Sequence, residues 1–193
     1  MNNFNEIKSH ILKIISNSPL PEDLPHAKNT LHWLLKVYPK ADFQLKIAAL
    51  GHDIERAVPE RLKRENFNNY DEFKKAHALR SAKILKNILL NFNLSDNIIQ
   101  NIFNIVKNHE HGGDFYSNIL KDADSLSFFD VNIKYLYERE GFEGTLERAI
   151  WGYKRLSSLG KKFFKNIDYE NDELNLIKEK ILKMEFKNGD KNC

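Results

Sequence analysis

The sequence predicts an all-α protein that folds as one domain. Apolar residues recur at every third or fourth position along most of the chain, which is the period of a helix. The 193 residues include only 8 Gly and 5 Pro, too few for the many turns of an all-β protein. No convincing alternation of apolar and polar residues predicts a strand. The length suits a single domain that buries its own core.

The first three predicted helices are separated by prolines. A stripe of apolar residues predicts a helix over 4–15, and closely spaced prolines break the chain after it. The second helix opens at His26 and ends before Pro39, because a residue that precedes proline disfavours the helical conformation. Asp42 is a suitable N-cap for a third helix, which extends to Gly51.

Capping residues and glycines bound the remaining helices. The stretch 61–69 is charged and rich in Asn, which predicts a surface loop or a short helix. Gly112 and Gly113 mark a loop, and Gly141 and Gly144 mark another break. The helices predicted for this half of the chain are 71–90, 96–109, 115–137, 145–159 and 170–186.

Composition narrows the class of protein. The domain is expected to span 1–186, and the Lys- and Asn-rich stretch 187–193 to be a disordered tail. Cys193 is the only cysteine, so no intrachain disulfide or thiolate metal site is expected. Without a leader or an apolar run of about 20 residues, we expect a cytoplasmic protein with no membrane contact. The net charge of +3 suits a small anionic substrate or simply a mixed surface, and no motif predicts nucleic-acid binding.

The adjacent pair His52-Asp53 is the first candidate for a metal site. An imidazole nitrogen and a carboxylate oxygen from neighbouring residues can bind one divalent cation. A histidine at a helix end also interacts favourably with the helix dipole, so the pair alone equally suits a surface. Asp124 lies between apolar neighbours, where a buried carboxylate needs a counter-charge from a metal or from Lys121.

Further histidines follow at wide spacing. His77 is flanked by small residues, which suits either a ligand or a core histidine. His109 and His111 bracket Glu110, and we favour His109 as the ligand because it continues an apolar helix face. Glu55 and Glu110 suit the orientation of a ligand or the acceptance of a proton, but we expect both to be solvated. A buried site needs ligands from several helices, and the candidates come from separate helical segments. They are His26, the pair His52-Asp53, His77, His109 and Asp124.

A phosphate group would need basic partners near this site. Arg56, Arg80 and Lys121 are the candidates, and a guanidinium binds phosphate through two hydrogen bonds. The same residues also suit ordinary surface charges. Asp122 is predicted to orient a ligand histidine. The basic and aromatic segment 139–155 is expected either to line a substrate cleft or to contribute its aromatics to the core.

The order of these residues resembles the HD-domain superfamily of metal-dependent phosphohydrolases. That superfamily has a His, then a His-Asp pair, then a distant Asp, and the match covers about residues 26–126. The resemblance implies an HD-like helical bundle in which His26, His52, Asp53 and Asp124 hold a divalent cation. It also implies that Asp53 is catalytic, because activity depends on the metal that it binds.

The resemblance further implies an enzyme that uses one or two divalent ions (Mn, Fe, Co, Ni, Zn or Mg). Binuclear members add two histidines, and His77 and His109 either complete a second metal site, contact phosphate or act in proton transfer. The expected reaction is hydrolysis of a phosphomonoester or phosphodiester of a nucleotide or related small phosphorylated metabolite by a metal-activated water. The alternatives are a di-iron HD-type oxygenase and a metal-binding regulatory module without turnover.

Overall fold

The computed structural model describes the backbone of residues 4–189 and the side chains of residues 4–184. Within that range every regular element is helical, which confirms the predicted fold class. The α-helices are α1 (Phe4–Ile15), α2 (Asp23–Val37), α3 (Phe43–Gly51), α4 (Tyr70–Leu89), α5 (Asp96–Asn108), α6 (Phe115–Ser127), α7 (Ile133–Arg155), α8 (Ser158–Phe164) and α9 (Asp172–Gly189). Shorter 3-10 turns span Ile54–Ala57 and Arg64–Asn66, and a π-helical turn spans Phe128–Asn132.

Side-chain caps fix several helix starts. The Asp42 carboxylate accepts a hydrogen bond from the Leu45 backbone N–H at 2.8 Å, as the N-cap of α3 requires. Helix α4 begins at Tyr70 because the Asn69 side chain accepts from the Glu72 N–H at 2.9 Å. Helix α2 begins at Asp23, ahead of the predicted start, so His26 lies in its first turn.

The later helices depart most from the prediction. The predicted helix 115–137 is divided by the π-helical turn between α6 and α7. The break expected after residue 140 is a kink inside α7, where Gly141 adopts φ 67°, a conformation that favours glycine. The predicted helix 145–159 ends at Arg155, because the Ser157 side chain accepts from the Gly160 N–H and starts α8.

Helix α3 forms the centre of the core. It packs against α1, α2, α5 and α6, and the apolar side chains of residues 45–50 are fully buried. Leu45, Ile47 and Leu50 each have no exposed surface. Because α3 is enclosed on its sides, the residues that follow its last turn lie inside the molecule.

The C-terminal helix extends further than expected. Helix α9 packs against α7 and continues to Gly189, so the predicted tail at 187–193 begins within a helix. Residues 190–193 lie outside the described part of the chain. Among the helices that are described, none combines the length and the apolar character that a membrane span requires.

Candidate metal centre

Three predicted ligands from different helices form a first buried group. His26 of α2 and His52 at the end of α3 place their Nε2 atoms 3.2 Å apart. The Asp124 Oδ1 atom of α6 lies 3.2 Å from the His26 Nε2 and 3.4 Å from the His52 Nε2. All three side chains are buried, and their ligand atoms face one another.

A second group lies beside the first. The His77 Nε2 of α4 lies 2.7 Å from the Asp53 Oδ1, and the His109 Nε2 lies 3.9 Å from the same oxygen. The Glu110 Oε1 lies 3.4 Å from the His109 Nε2. The structure therefore places His109 at the centre, while His111 is exposed.

Asp53 joins the two groups. Its Oδ2 lies 3.7 Å from the His26 Nε2, and its Oδ1 lies 3.6 Å from the His52 Nε2. Its Oδ1 also contacts His77 in the second group. This aspartate thus lies between the two candidate cation positions and has oxygens available to both.

Local structure fixes the orientation of His52 and His109. The His52 Nδ1–H donates to the Ala49 carbonyl at 2.9 Å, and the His109 Nδ1–H donates to the Val106 carbonyl at 2.6 Å. Each histidine directly follows the last residue of a helix, and each carbonyl belongs to that helix's last turn. A neutral imidazole that donates through Nδ1 carries its lone pair on Nε2, so both Nε2 atoms can act as ligands.

His26 and His77 are oriented by side chains. The His77 Nδ1 lies 2.7 Å from the Glu55 Oε2, an arrangement common behind metal-binding histidines. The His26 Nδ1 lies 2.9 Å from the Ser127 Oγ, whose own proton can go to the His26 carbonyl at 3.2 Å. Both histidines can therefore also present the Nε2 lone pair to the centre.

These donors fit a divalent cation. Ligand atoms about 2.0–2.1 Å from a tetrahedral cation lie about 3.3 Å from one another, which matches the spacing in the first group. The His109 Nε2 is buried and has no hydrogen-bond partner among the described residues, and burial lowers the pKa of its imidazole. Burial also lowers the pKa of His52, but Asp53 and Asp124 outweigh it and raise that pKa to about 9. A cation therefore competes with a proton at His52.

Arginines compensate the buried aspartates. The Arg56 Nη2 lies 3.1 Å from the Asp53 Oδ2, and the Arg155 Nη2 lies 3.0 Å from the Asp124 Oδ2. Burial raises the pKa of each carboxyl, but the arginine and the neighbouring histidines lower it well below its usual range. Both aspartates are thus ionised near neutral pH, the state in which a carboxylate binds a metal.

The expectation that Glu55 and Glu110 are solvated is wrong. They are 1% and 2% exposed, respectively. Glu110 forms ion pairs with Lys74 and, at 2.9 Å, with the Arg155 Nη2, which hold its pKa well below the usual range against the effect of burial. Glu55 accepts from His77. These partners are distant in sequence, so no local pattern indicated the burial.

Of the three predicted phosphate contacts, only Arg56 lies at the candidate metal centre. It pairs with Asp53 there. Arg80 is half-buried and donates to the Pro59 carbonyl at 3.2 Å. The Lys121 Nζ lies 3.4 Å from the His111 carbonyl oxygen, in a different cleft from the one that His26 and Asp124 line.

Asp122 supports helix α8 instead of a ligand histidine. It accepts hydrogen bonds from the Ser157 backbone N–H, at 2.8 Å, and from the Ser157 hydroxyl. Residues two apart on a helix project about 200° from one another. Asp122 and Asp124 therefore face different sides of α6, and only Asp124 reaches the candidate metal centre.

The fold and the centre define an all-helical protein with buried groups of His, Asp and Glu that could hold a metal ion. A family model described as "Domain of unknown function (DUF4202)" matches residues 5–177, and the chain belongs to this family. The match includes every candidate ligand described above. Neither a curated protein nor a solved structure matches the chain.

Metal binding should be visible as thermal stabilisation. A ligand that binds only the folded state at 100 times its Kd contributes about 2.7 kcal/mol. For a domain of this size that corresponds to a rise in Tm of about 5–10 °C. We expect this rise when Mn, Co, Ni or Zn is added to chelator-treated protein, and a larger rise at pH 8 than at pH 6, because the ligand histidines must be unprotonated.

Differential scanning fluorimetry measures this shift, and His52→Ala is the control. His52 supplies an Nε2 to the first group, so the variant should lose most of the stabilisation. An unchanged Tm in the original protein, across these metals and both pH values, would contradict the metal-site assignment.

Proposed function

We propose that the protein is a metal-dependent phosphohydrolase of the HD type that its sequence resembles. The proposed substrate is a nucleotide or a related small phosphorylated metabolite. The observation that carries the proposal is a cavity of 210 Å³, lined by His26 and Asp124 and by a concentration of basic groups. The basic residues of its lining are Arg56, Lys74, Arg139, Arg148 and Arg155. Metal ligands and cations that line one small cavity suit a phosphate ester.

Contacts with aromatic rings hold several of these basic side chains in position. The Arg148 guanidinium lies 4.3 Å from the ring centroid of Tyr70, and Arg155 lies 4.6 Å from that of Trp151. The Lys74 Nζ lies 5.7 Å from the same Trp151 ring. A cation already ordered in the free protein loses less conformational freedom when a phosphate binds.

The residues divide the proposed work between them. His26, His52, Asp53 and Asp124 would hold the first cation, and His77 and His109 would hold a second beside Asp53. When bound, a divalent cation supplies a water of lowered pKa and positive charge against the phosphoryl oxygens. Hydrolysis would form a bond between the water oxygen and phosphorus and break the ester P–O bond, and the proton that the water loses would balance the one that the leaving oxygen gains. Arg56, Arg148 and Arg155 stabilise the charge of the phosphoryl group.

Phosphate release from a panel of substrates tests the proposal. Chelator-treated protein is given Mn, Co, Ni or Mg and then nucleoside mono-, di- and triphosphates, cyclic nucleotides and sugar phosphates. Metal-dependent release of phosphate, or of a monoester from a cyclic nucleotide, supports the proposal. If the protein binds metal but no member of the panel is hydrolysed, the proposal is overturned. A regulatory module without turnover would then be favoured, or a di-iron oxygenase if iron-loaded protein shows a coupled di-iron spectrum.

A further inference from the structure

Two residues that line the cavity each have a buried oxygen atom without a hydrogen-bond partner among the described residues. The Glu22 Oε2 and the Asn132 Oδ1 are unpaired among the described side chains, although these residues are only 1% and 8% exposed. Both residues line the cavity that His26 and Asp124 also line. Buried polar atoms are nearly always paired, so these two acceptors are candidates for hydrogen bonds from a bound molecule.

The chain brings these acceptors close to the metal ligands. Glu22 is one helical turn before His26, on the same side of α2. Asn132 ends the π-helical turn that continues α6 beyond Asp124. Phe128 lies between Asp124 and Asn132 in sequence and also lines the cavity. A molecule bound beside His26 and Asp124 would therefore have Glu22 and Asn132 in the wall of the same cavity.

The pairing of Glu22 narrows the chemistry of the missing donor. The Arg139 Nη1 lies 2.7 Å from the Glu22 Oε1, so the carboxylate has one paired oxygen and one unpaired oxygen. A hydroxyl group can donate to the free oxygen and accept from the arginine, whereas an ammonium or amide N–H group only donates. A cationic ammonium is disfavoured by the surrounding basic residues.

A phosphate group alone does not satisfy this part of the cavity. The phosphoryl group of a monoester dianion has only acceptor oxygens, which would repel the unpaired oxygens of Glu22 and Asn132. The ligand therefore needs a second part that carries hydroxyl donors. Leu136 and Phe128 provide apolar lining beside these acceptors, which suits the carbon skeleton of such a group.

We propose that the cavity selects organic phosphates that carry a hydroxylated skeleton, such as a sugar phosphate or a ribonucleotide. Glu22 and Asn132 are its specificity-determining residues, because their buried oxygens accept hydrogen bonds from the substrate hydroxyls. The inference rests on the proposed function, since it takes the cavity to be the place where a phosphate ester binds.

Matched pairs of ligands test this selection without turnover. Calorimetry measures the Kd of metal-free protein for ribose 5-phosphate against 2-deoxyribose 5-phosphate, glucose 6-phosphate against 2-deoxyglucose 6-phosphate, and adenosine monophosphate against its 2'-deoxy and 2',3'-dideoxy forms. Tighter binding of the hydroxylated member, by about 10-fold or more in at least one set, is expected for a hydrogen bond to a buried charged group. Equal binding within every set overturns the inference.

Variants assign the selection to the two acceptors. Glu22→Gln and Asn132→Leu should each bring the ratio of the two Kd values closer to one. The Kd of the deoxygenated ligand should change less than that of the hydroxylated ligand. Glu138→Gln is the control, because Glu138 is exposed and close in sequence to Arg139 but is not part of the cavity lining. A preference that both variants retain in full overturns the assignment.

The two proposals fail in different ways. Turnover of phosphate esters without discrimination between matched ligands would overturn the hydroxyl selection and leave the phosphohydrolase standing. Discrimination in binding without any turnover would overturn the phosphohydrolase and leave the hydroxyl selection standing, because the binding assay requires no catalysis.

Discussion

Replacement of Asp53 with alanine is expected to abolish phosphate release and to weaken metal binding by more than about 100-fold. Even residues that only support metal ligands contribute about 10–100-fold to affinity, and Asp53 lies within ligand distance of both groups. The metal affinity is measured by calorimetry and the activity by phosphate release. Circular dichroism should show that the variant remains helical, since α3 and its packing are unchanged.

Asp122→Ala provides the matched control. Asp122 is a buried aspartate close to the centre, but it accepts hydrogen bonds from Ser157 at the start of α8. Its removal should cost about 1–3 kcal/mol of stability, because it leaves the Ser157 backbone N–H without its partner, and should leave metal affinity unchanged. Full activity in Asp53→Ala, or equal loss of metal binding in both variants, would show that Asp53 has no special role.

Arg155→Met is expected to lower the free energy of unfolding of metal-free protein by about 3–5 kcal/mol, because it leaves buried carboxylates without their partner. The Arg155 Nη2 contacts both Glu110, at 2.9 Å, and Asp124, at 3.0 Å. Methionine keeps much of the side-chain volume against Trp151 but removes the charge. Urea denaturation measures the change.

The dependence of this effect on pH gives a second readout. Burial raises the pKa values of Glu110 and Asp124, but neighbouring cations lower both well below the usual range. Lys74 and Arg155 lower the pKa of Glu110, and Arg155 lowers that of Asp124. Carboxyls whose pKa is lowered in the folded state stabilise it above their unfolded pKa, and this stability is lost as pH falls through the folded value. The loss in free energy of unfolding caused by Arg155→Met should therefore be largest near neutral pH and smaller in acid.

Arg80→Met serves as the control for Arg155. Arg80 is half-buried, but its guanidinium donates to a backbone carbonyl instead of pairing with a buried carboxylate. Its replacement should change stability by about 0.5 kcal/mol or less. A loss as large as that in Arg155→Met would mean that general packing, and not the buried charge, accounts for the effect.

The candidate metal ligands could be predicted because the sequence shows which residues have side chains that bind metal ions. His26, His52 and Asp124 are side chains that suit a cation and occur in separate helices, and the structure brings them within 3.4 Å of one another. The burial of Glu110 was not predictable in this way. A buried carboxylate depends on counter-charges, and those of Glu110 come from α4 and α7, far away in sequence.

The fold shows the same division between local and distant causes. The helical period predicted almost every helix, because each apolar stripe needs only its own sequence. It did not predict the π-helical turn after α6, since periodicity does not report which carbonyl each N–H contacts. The position of Asp122 was open to prediction from helix geometry, because its separation from Asp124 already places the two on different sides of α6.

The histidines at the ends of α3 and α5 would link metal binding to the opening of those helices. His52 and His109 each hold a carbonyl of the last helical turn through Nδ1 while Nε2 faces the centre. Fraying of either helix end would release the imidazole from its orientation and remove a ligand at the same time. A bound cation would therefore suppress local unfolding at both ends. Backbone amides in two separate helices would then exchange their hydrogens in common response to one ion.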